Sequence, residues 1–258
     1  MRLRRFRRAA MAVAVLLPVA ASPATIIVDY AADAGGNNAN PLNGLAAQAT
    51  WRVDGTTLTI TLKNTSTGVP NGAEVSDSLL VSLAFNLGDG ITITSGTYAI
   101  VGAGSTGLGS WSDLLAGDSV ADQWLWTNDG GGDLLESFAN IISTSNGQGG
   151  GDTFSFNGDP DPNVGGPFGG IAATPPLIAI PGPQQAVSDS IEFQLTLDAT
   201  LTQSQLAAIA GAAVVEFGSD YQYLAVPAPG ALPLLGIGGM SLLARRRRRC
   251  RTSSTPAA

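Results

Sequence analysis

Polar and apolar residues alternate through the segment TWRVDGTTLTITLK, residues 50–63. In an extended chain Leu58, Ile60 and Leu62 point to one face, and the threonines between them point to the other. Asp54 and Gly55 interrupt the alternation with a dipeptide that favours a type I′ turn. The segment therefore predicts a β-hairpin of half-buried strands, at residues 49–53 and 56–63.

Several other segments show the same alternation or are short runs rich in β-branched residues. They predict strands at residues 25–30, 79–87, 91–101, 152–157, 187–197, 213–217 and 221–226. A GDG turn joins 79–87 to 91–101, which predicts an antiparallel meander. Residues 134–143 fit a strand or a short helix. The proline-rich residues 158–183 predict a long irregular loop.

One helix is predicted at residues 203–210, because Thr202 and Gln205 have the spacing of a capping box. Gly211 is its predicted C-cap. We expect an all-β fold, an antiparallel β-sandwich of jelly-roll type with this one short helix. The 201 residues from 25 to 225 are enough for a single such domain with its own core.

Charge is distributed in blocks along the chain. Between Ala24 and Val226 only Arg52 and Lys63 are basic, whereas all 20 acidic residues fall there, so this part carries a net charge of −18. A domain this acidic repels nucleic acid and anionic lipid surfaces. We therefore expect a soluble acidic domain with no nucleic-acid partner.

The chain contains no histidine, and its single cysteine is Cys250. A disulfide within the chain, a zinc site of Cys/His type and the common Ser–His and Cys–His catalytic pairs are thereby excluded. No phosphate-binding loop or dinucleotide fingerprint occurs. Paired carboxylates remain as a glycosidase alternative, but most acidic residues lie in glycine-rich turns, where they serve the turn. We expect no enzymatic activity.

The N-terminus has the three parts of a secretory signal peptide. Five arginines lie within residues 1–8, an apolar run covers residues 9–19, and small residues follow. We place signal cleavage after Ala24, with Ala21 as the second choice. The alternative is an uncleaved N-terminal anchor helix.

The C-terminus carries no charge from Leu224 to Ala244, which is close to the ~20 residues that a membrane-spanning helix needs. A basic cluster follows and marks the cytoplasmic side. It consists of Arg245, Arg246, Arg247, Arg248 and Arg249. With both ends inside, the acidic middle lies outside. The alternatives are a plain tail anchor and a buried core helix with a basic tail.

The motif Val226-Pro227-Ala228-Pro229, the apolar run and the arginine cluster together resemble the PEP-CTERM sorting signal of Gram-negative bacteria. In that family the motif is Val-Pro-Glu-Pro, so Ala228 stands where the family has glutamate. The resemblance covers residues 226–249. It implies that an exosortase, a membrane-embedded transpeptidase, cuts near the motif and transfers the protein to a surface acceptor.

These observations predict four regions. Residues 1–24 are a signal peptide, 25–225 an exported acidic β-sandwich domain, 226–249 a sorting tail with a transmembrane helix, and 250–258 a disordered cytoplasmic tail. We expect transient anchoring in the inner membrane with the domain in the periplasm, followed by display at the cell surface. The expected partners are the export machinery, the exosortase-type transpeptidase, the membrane and extracellular polysaccharide.

The exported domain is expected to be structural or adhesive in an extracellular matrix or biofilm. The alternative is a calcium- or carbohydrate-binding module on the same anchor. The calcium candidate is the alternating oxygen set Asp159, Asp161 and Asn163, which lacks the glycine and glutamate of an EF-hand loop.

Two further sets of residues are weaker ligand candidates. Asp129, Asp133 and Glu136 form a second acidic cluster. Trp124 and Trp126 share one face of a strand, where they either stack on a sugar or belong to the core.

Overall fold

The structure is a computed structural model of the 258-residue chain, and it describes residues 25–34, 43–88, 90–128, 137–144, 169–182, 184–218 and 222–227. These residues form fourteen β-strands, one α-helix and one short 3₁₀ turn. In chain order the strands are β1 (Thr25–Tyr30), β2 (Ala32–Asp33), β3 (Ala47–Asp54), β4 (Thr57–Asn64), β5 (Leu80–Phe85), β6 (Ile93–Val101), β7 (Gly107–Gly109), β8 (Trp124–Thr127), β9 (Asn140–Thr144), β10 (Gly170–Ala172), β11 (Gln185–Ser188), β12 (Ser190–Leu197), β13 (Val214–Phe217) and β14 (Gln222–Ala225). The helix, α1, is Gln203–Ala212, and the 3₁₀ turn is Ser76–Ser78.

The strands belong to two sheets, which we call the five-stranded and the nine-stranded sheet. The order in the five-stranded sheet is β1, β3, β4, β12 and β6, and every pair in it is antiparallel. The order in the nine-stranded sheet is β2, β14, β13, β5, β10, β11 and β7, and β9 also pairs with β5 and carries β8. Antiparallel pairing is confirmed with one exception, because β10 and β11 run parallel.

The elements with a clear local signal are confirmed. Asp54 pairs with Thr57 at the end of the β3–β4 hairpin, so Gly55 and Thr56 are the two central residues of its turn. The predicted type I′ turn is wrong, because Gly55 has a positive φ of +59° but Thr56 does not, which fits a type II′ turn. Thr202 and Gln205 form the capping box of α1. The predicted C-cap is wrong, because Gly211 lies inside the helix and the buried Ala213 is the first extended residue before β13.

Two predictions about strand connectivity are wrong. The predicted meander does not form, because β5 lies in the nine-stranded sheet and β6 in the five-stranded sheet. Gly88 and Gly90, with φ of +95° and +79°, lie in the connection between them. Asp189, with φ of +69°, divides the predicted strand 187–197 into β11 and β12, which again belong to different sheets. Both connections are therefore crossings between sheets.

Other predictions change at particular residues. The ambiguous segment 134–143 contributes the strand β9, and the predicted loop 158–183 contains the short strand β10. Leu224 and Ala225 belong to β14, so the uncharged C-terminal run keeps 19 residues, from Val226 to Ala244, for a membrane helix. The predicted strand 152–157 and the predicted signal peptide, residues 1–24, lie outside the described residues.

No helix among the described residues has the length and apolar character needed to cross a membrane. Of the predicted membrane segment, Leu224–Ala244, only the first four residues, Leu224 to Pro227, are described.

Buried side chains from both sheets form one hydrophobic cluster. Aromatic rings meet across it: Trp51 of β3 lies edge-on to Phe85 of β5 at 5.3 Å, and Trp124 of β8 lies 4.9 Å from Phe193 of β12. The helix α1 contacts β1, β3 and β5, and its Ala210 carbonyl accepts a hydrogen bond from the Tyr30 hydroxyl at 3.0 Å. The helix therefore contributes to the core shared by the two sheets.

One polar side chain inside the fold connects the two sheets. Asn64, at the end of β4, is 2 % exposed, and its Nδ2 donates to the carbonyls of Ser78 and Ile171 at 3.0 and 2.8 Å. Its Oδ1 accepts from the Ser66 backbone N–H at 3.0 Å. Its backbone N–H donates to the carbonyl of Asp189, the residue where the chain crosses between sheets.

We predict that Asn64→Ala lowers the free energy of unfolding by about 3 kcal/mol, because it leaves two buried carbonyls without their donor. Urea unfolding followed by tryptophan fluorescence measures the change. Thr59→Ala is the matched control, since Thr59 lies on the same strand but on the opposite, half-exposed face. Equal stability of the two variants would show that Asn64 does not hold the sheets together.

Candidate functional site

The C-terminal strand lies inside the nine-stranded sheet. β14 pairs with β13 on one side and with β2 on the other. The Ala225 carbonyl also accepts from the Ala31 N–H at 3.2 Å. Because Ala31 follows β1 directly, the end of the C-terminal strand is adjacent to the N-terminal segment of the described fold.

The last described residues follow this strand, and we call the segment Ala225–Pro227 the tail exit. Val226 is half-buried and packs against the main hydrophobic cluster, whereas Pro227 is exposed. Proline has no N–H to extend the ladder, so the sequence itself ends the pairing here. The first two residues of the predicted sorting motif therefore directly follow the last described strand, and the second of them is exposed.

The remaining residues of the predicted sorting apparatus lie outside the described residues. They are Ala24, Ala228, Pro229, Arg245, Arg246, Arg247, Arg248 and Arg249. Thr25, which follows the predicted signal cleavage site, is the first residue of β1.

The outward side of the five-stranded sheet is a second candidate site, which we call the polar face. Its half-exposed or exposed members from four adjacent strands include Thr50, Arg52, Thr59, Thr61, Tyr98, Glu192 and Gln194. Strand register places Tyr98 opposite Gln194, and Gln194 opposite Thr59. Hydroxyl and amide groups thus lie on the strands next to one aromatic ring.

Tyr98 is hydrogen-bonded within the polar face. Its hydroxyl donates to Glu192 Oε1 at 2.7 Å. Partial burial, the hydrogen bond to Glu192 and the negative charge of Glu192 raise the pKa of Tyr98 from 10.0 to about 12, against the opposing charge of Arg52. At neutral pH the phenol therefore stays protonated and donates to a fixed carboxylate.

The sequence did not single out Tyr98 as a candidate. The sequence feature that could have identified it is the alternation within β6. Ala99 and Val101 face the core, and Tyr98 faces away from it.

The two tryptophans proposed for sugar stacking are buried. Trp124 is 0 % and Trp126 is 7 % exposed, and the Trp124 Nε1–H donates to the Gly169 carbonyl at 3.1 Å. They do share one side of a strand, but that side faces the core. The hypothesis that these two rings stack on a sugar is therefore wrong, and the core interpretation is confirmed.

The described residues contain no group of three or more His, Cys, Asp or Glu side chains that could hold a metal ion. The calcium candidates Asp159, Asp161 and Asn163 lie outside them, as does the weaker set Asp129, Asp133 and Glu136. Among the basic residues, Lys63 forms an ion pair with Asp189 at 2.8 Å.

Comparison of this chain with models of protein families, with curated proteins and with solved structures finds no match. No activity is therefore transferred from a relative. The function proposed below is inferred from the tail exit, the polar face and the sequence.

We predict that Glu192→Gln lowers the pKa of Tyr98 from about 12 towards 10 but not fully to it, because partial burial persists. Absorbance titration of the phenolate at alkaline pH measures this pKa. The Tyr98→Phe variant shows which part of the absorbance change belongs to Tyr98. The raised pKa makes the folded state favour the protonated phenol. Stability from this group is therefore complete below pH 10 and is lost as the pH rises through about 12.

The control is Glu74→Gln, which removes an exposed carboxylate from another part of the fold. We expect it to leave the Tyr98 titration unchanged. An identical titration in Glu192→Gln and the unmodified protein would contradict the role given to Glu192.

Proposed function

We propose that this chain is an exported surface protein, sorted by its C-terminal tail, with a structural or adhesive role in an extracellular matrix. The observation that carries the proposal is the tail exit. The last described strand ends at Ala225, and Pro227 is already exposed. A cut near the motif would therefore leave every described strand in place.

The proposed route follows from the order of the segments. The signal peptide, residues 1–24, directs export and is removed after Ala24. The apolar tail then holds the chain in the inner membrane, with the arginine cluster on the cytoplasmic side. An exosortase-type transpeptidase cuts near Val226–Pro229 and passes the acidic domain to the surface, where polysaccharide is the neighbouring material.

We further infer that the two sheets pack face to face as a β-sandwich with jelly-roll-like crossings. The ring pairs Trp51–Phe85 and Trp124–Phe193, each with one ring from either sheet, support this inference. The repeated passage of the chain between sheets supports the jelly-roll comparison. Such a domain is stable without disulfides and suits a passive role outside the cell.

The second candidate function is carbohydrate binding on the same anchor, and the polar face favours it. An aromatic ring among fixed hydroxyl, amide and carboxylate groups offers one stacking surface and several hydrogen bonds. Tyr98 offers the accessible aromatic ring for stacking on a sugar, which the buried Trp124 and Trp126 do not. Calcium binding has no comparable support among the described residues.

We predict that a stop codon after Pro227 leaves the unfolding temperature unchanged and abolishes surface retention. The reason is that the removed residues 228–258 follow the last described strand and contain the apolar segment and arginine cluster. Thermal unfolding and cell fractionation measure the two effects. In the full-length protein, mass spectrometry of the surface-bound form should find no peptide beyond Pro229.

The control is a stop codon after Tyr221, which also removes β14 with its buried Tyr223 and Leu224. This variant should lose stability, because β13 and β2 lose their shared partner. Peptides containing Arg245–Arg249 on the surface-bound protein would instead indicate a plain membrane anchor.

If the polar face binds sugar, Tyr98→Ala should weaken binding to an extracellular polysaccharide by about tenfold, the order of a lost stacking contact. Glycan-array binding followed by calorimetry measures it. Ser112→Ala, at an exposed residue outside the polar face, is the control. Equal binding by both variants would exclude Tyr98 from any sugar site.

A further inference from the structure

One edge of β1 has no strand partner among the residues that the structure describes. Within the described residues β1 pairs only with β3, so it is the outermost strand of the five-stranded sheet. Its Ile27 side chain is 61 % exposed. The strand contains none of the lysines, prolines or bulges that commonly protect sheet edges from pairing with another chain.

The hydrogen-bond pattern of the sheet identifies which backbone groups face that edge. The Thr65 N–H donates to the Ala46 carbonyl at 3.0 Å, so even-numbered residues of β3 bond to β4. The odd-numbered residues of β3, whose partners in β1 are even-numbered, must then bond to β1. The N–H and C=O groups of Thr25, Ile27 and Asp29 therefore point to the open edge.

The next residue in this series supports the assignment. The Ala31 N–H points the same way as those of the three edge residues, and it donates to Ala225 of β14. The open edge thus ends before Ala31, whose N–H bonds to the last residue of β14, and it consists of Thr25, Ile27 and Asp29.

We propose that β1 pairs antiparallel with β1 of a second copy of this chain, about a two-fold axis at Ile27. In this register Ile27 lies opposite Ile27 of the other copy, and Thr25 lies opposite Asp29. All backbone groups of the three edge residues are then paired across the axis. Each exposed Ile27 side chain is covered by its equivalent.

The alternative two-fold register, centred on Val28, is less favourable. It places Ile27 opposite the charged Asp29, and it requires the Ala31 N–H that already bonds to Ala225. The self-complementary register at Ile27 has neither conflict.

Charge complementarity connects this pairing with export. Cleavage after Ala24 makes Thr25 the amino terminus, whose ammonium group then lies next to Asp29 of the other copy. Asp29 Oδ1 accepts from Gln48 Nε2 at 2.9 Å, which leaves the second carboxylate oxygen to receive the ammonium group. This step rests on the predicted cleavage site, whereas the register does not.

A single strand pair is a small interface, so we expect a dissociation constant of about 1 μM or weaker. Attachment of both copies to one surface raises their effective concentration and favours the pair there.

The test uses mature protein purified after export and processing of the full-length chain. Sedimentation velocity from about 1 μM to about 1 mM should show a monomer–dimer equilibrium. Ile27→Lys places two like charges opposite each other and should weaken association by about tenfold or more. Leu115→Lys, at a side chain that is also 61 % exposed, should not.

A monomer at every concentration would overturn the proposal. So would an Ile27→Lys variant that associates as well as the unmodified protein, or growth beyond a dimer, which would indicate open-ended pairing through another edge.

A cross-link tests the register. Opposed residues of a hydrogen-bonded antiparallel pair have Cα atoms about 5.5 Å apart, within the range of a disulfide. With Cys250→Ser removing the only native thiol, Ile27→Cys should form a disulfide-linked dimer on mild oxidation, and Leu115→Cys should not. A dimer in solution without this cross-link would overturn the two-fold axis at Ile27.

Discussion

The buried amide of Asn64 is the contact on which the arrangement of the two sheets depends. The chain crosses repeatedly from one sheet to the other, and each crossing removes backbone groups from a ladder. Asn64 bonds to Ser78 before one strand of the nine-stranded sheet and to Ile171 within another. Since an unpaired buried carbonyl is costly, these bonds determine how the end of β4 sits on the nine-stranded sheet.

The position of β14 within its sheet determines which strands bear a force that pulls on the C-terminal tail. β14 lies between β13 and β2, so a pull on the chain beyond Pro227 acts on two ladders and on the buried Leu224. A strand at a sheet edge would be held by one ladder only. This placement suits a protein whose C-terminus is its proposed point of attachment.

The acidic character of the domain limits how copies can associate. A net charge of −18 between Ala24 and Val226 opposes non-specific contact between copies. The edge of β1 is an exception, because Asp29 is its only charged side chain and the proposed register gives it a neutral or cationic partner. Association is thereby restricted to one strand near the predicted cleavage site.

The sequence by itself determined the local elements: the β3–β4 hairpin, the capping box of α1, and the end of the last described strand next to Pro227. Each depends on residues within a few positions of one another. Only the tertiary structure decided which sheet each strand joins, that Asp189 divides one predicted strand, and that Tyr98 rather than Trp124 lies at the surface. Those outcomes depend on partners as distant as Asn64 and Ile171, 107 residues apart, which local periodicity does not encode.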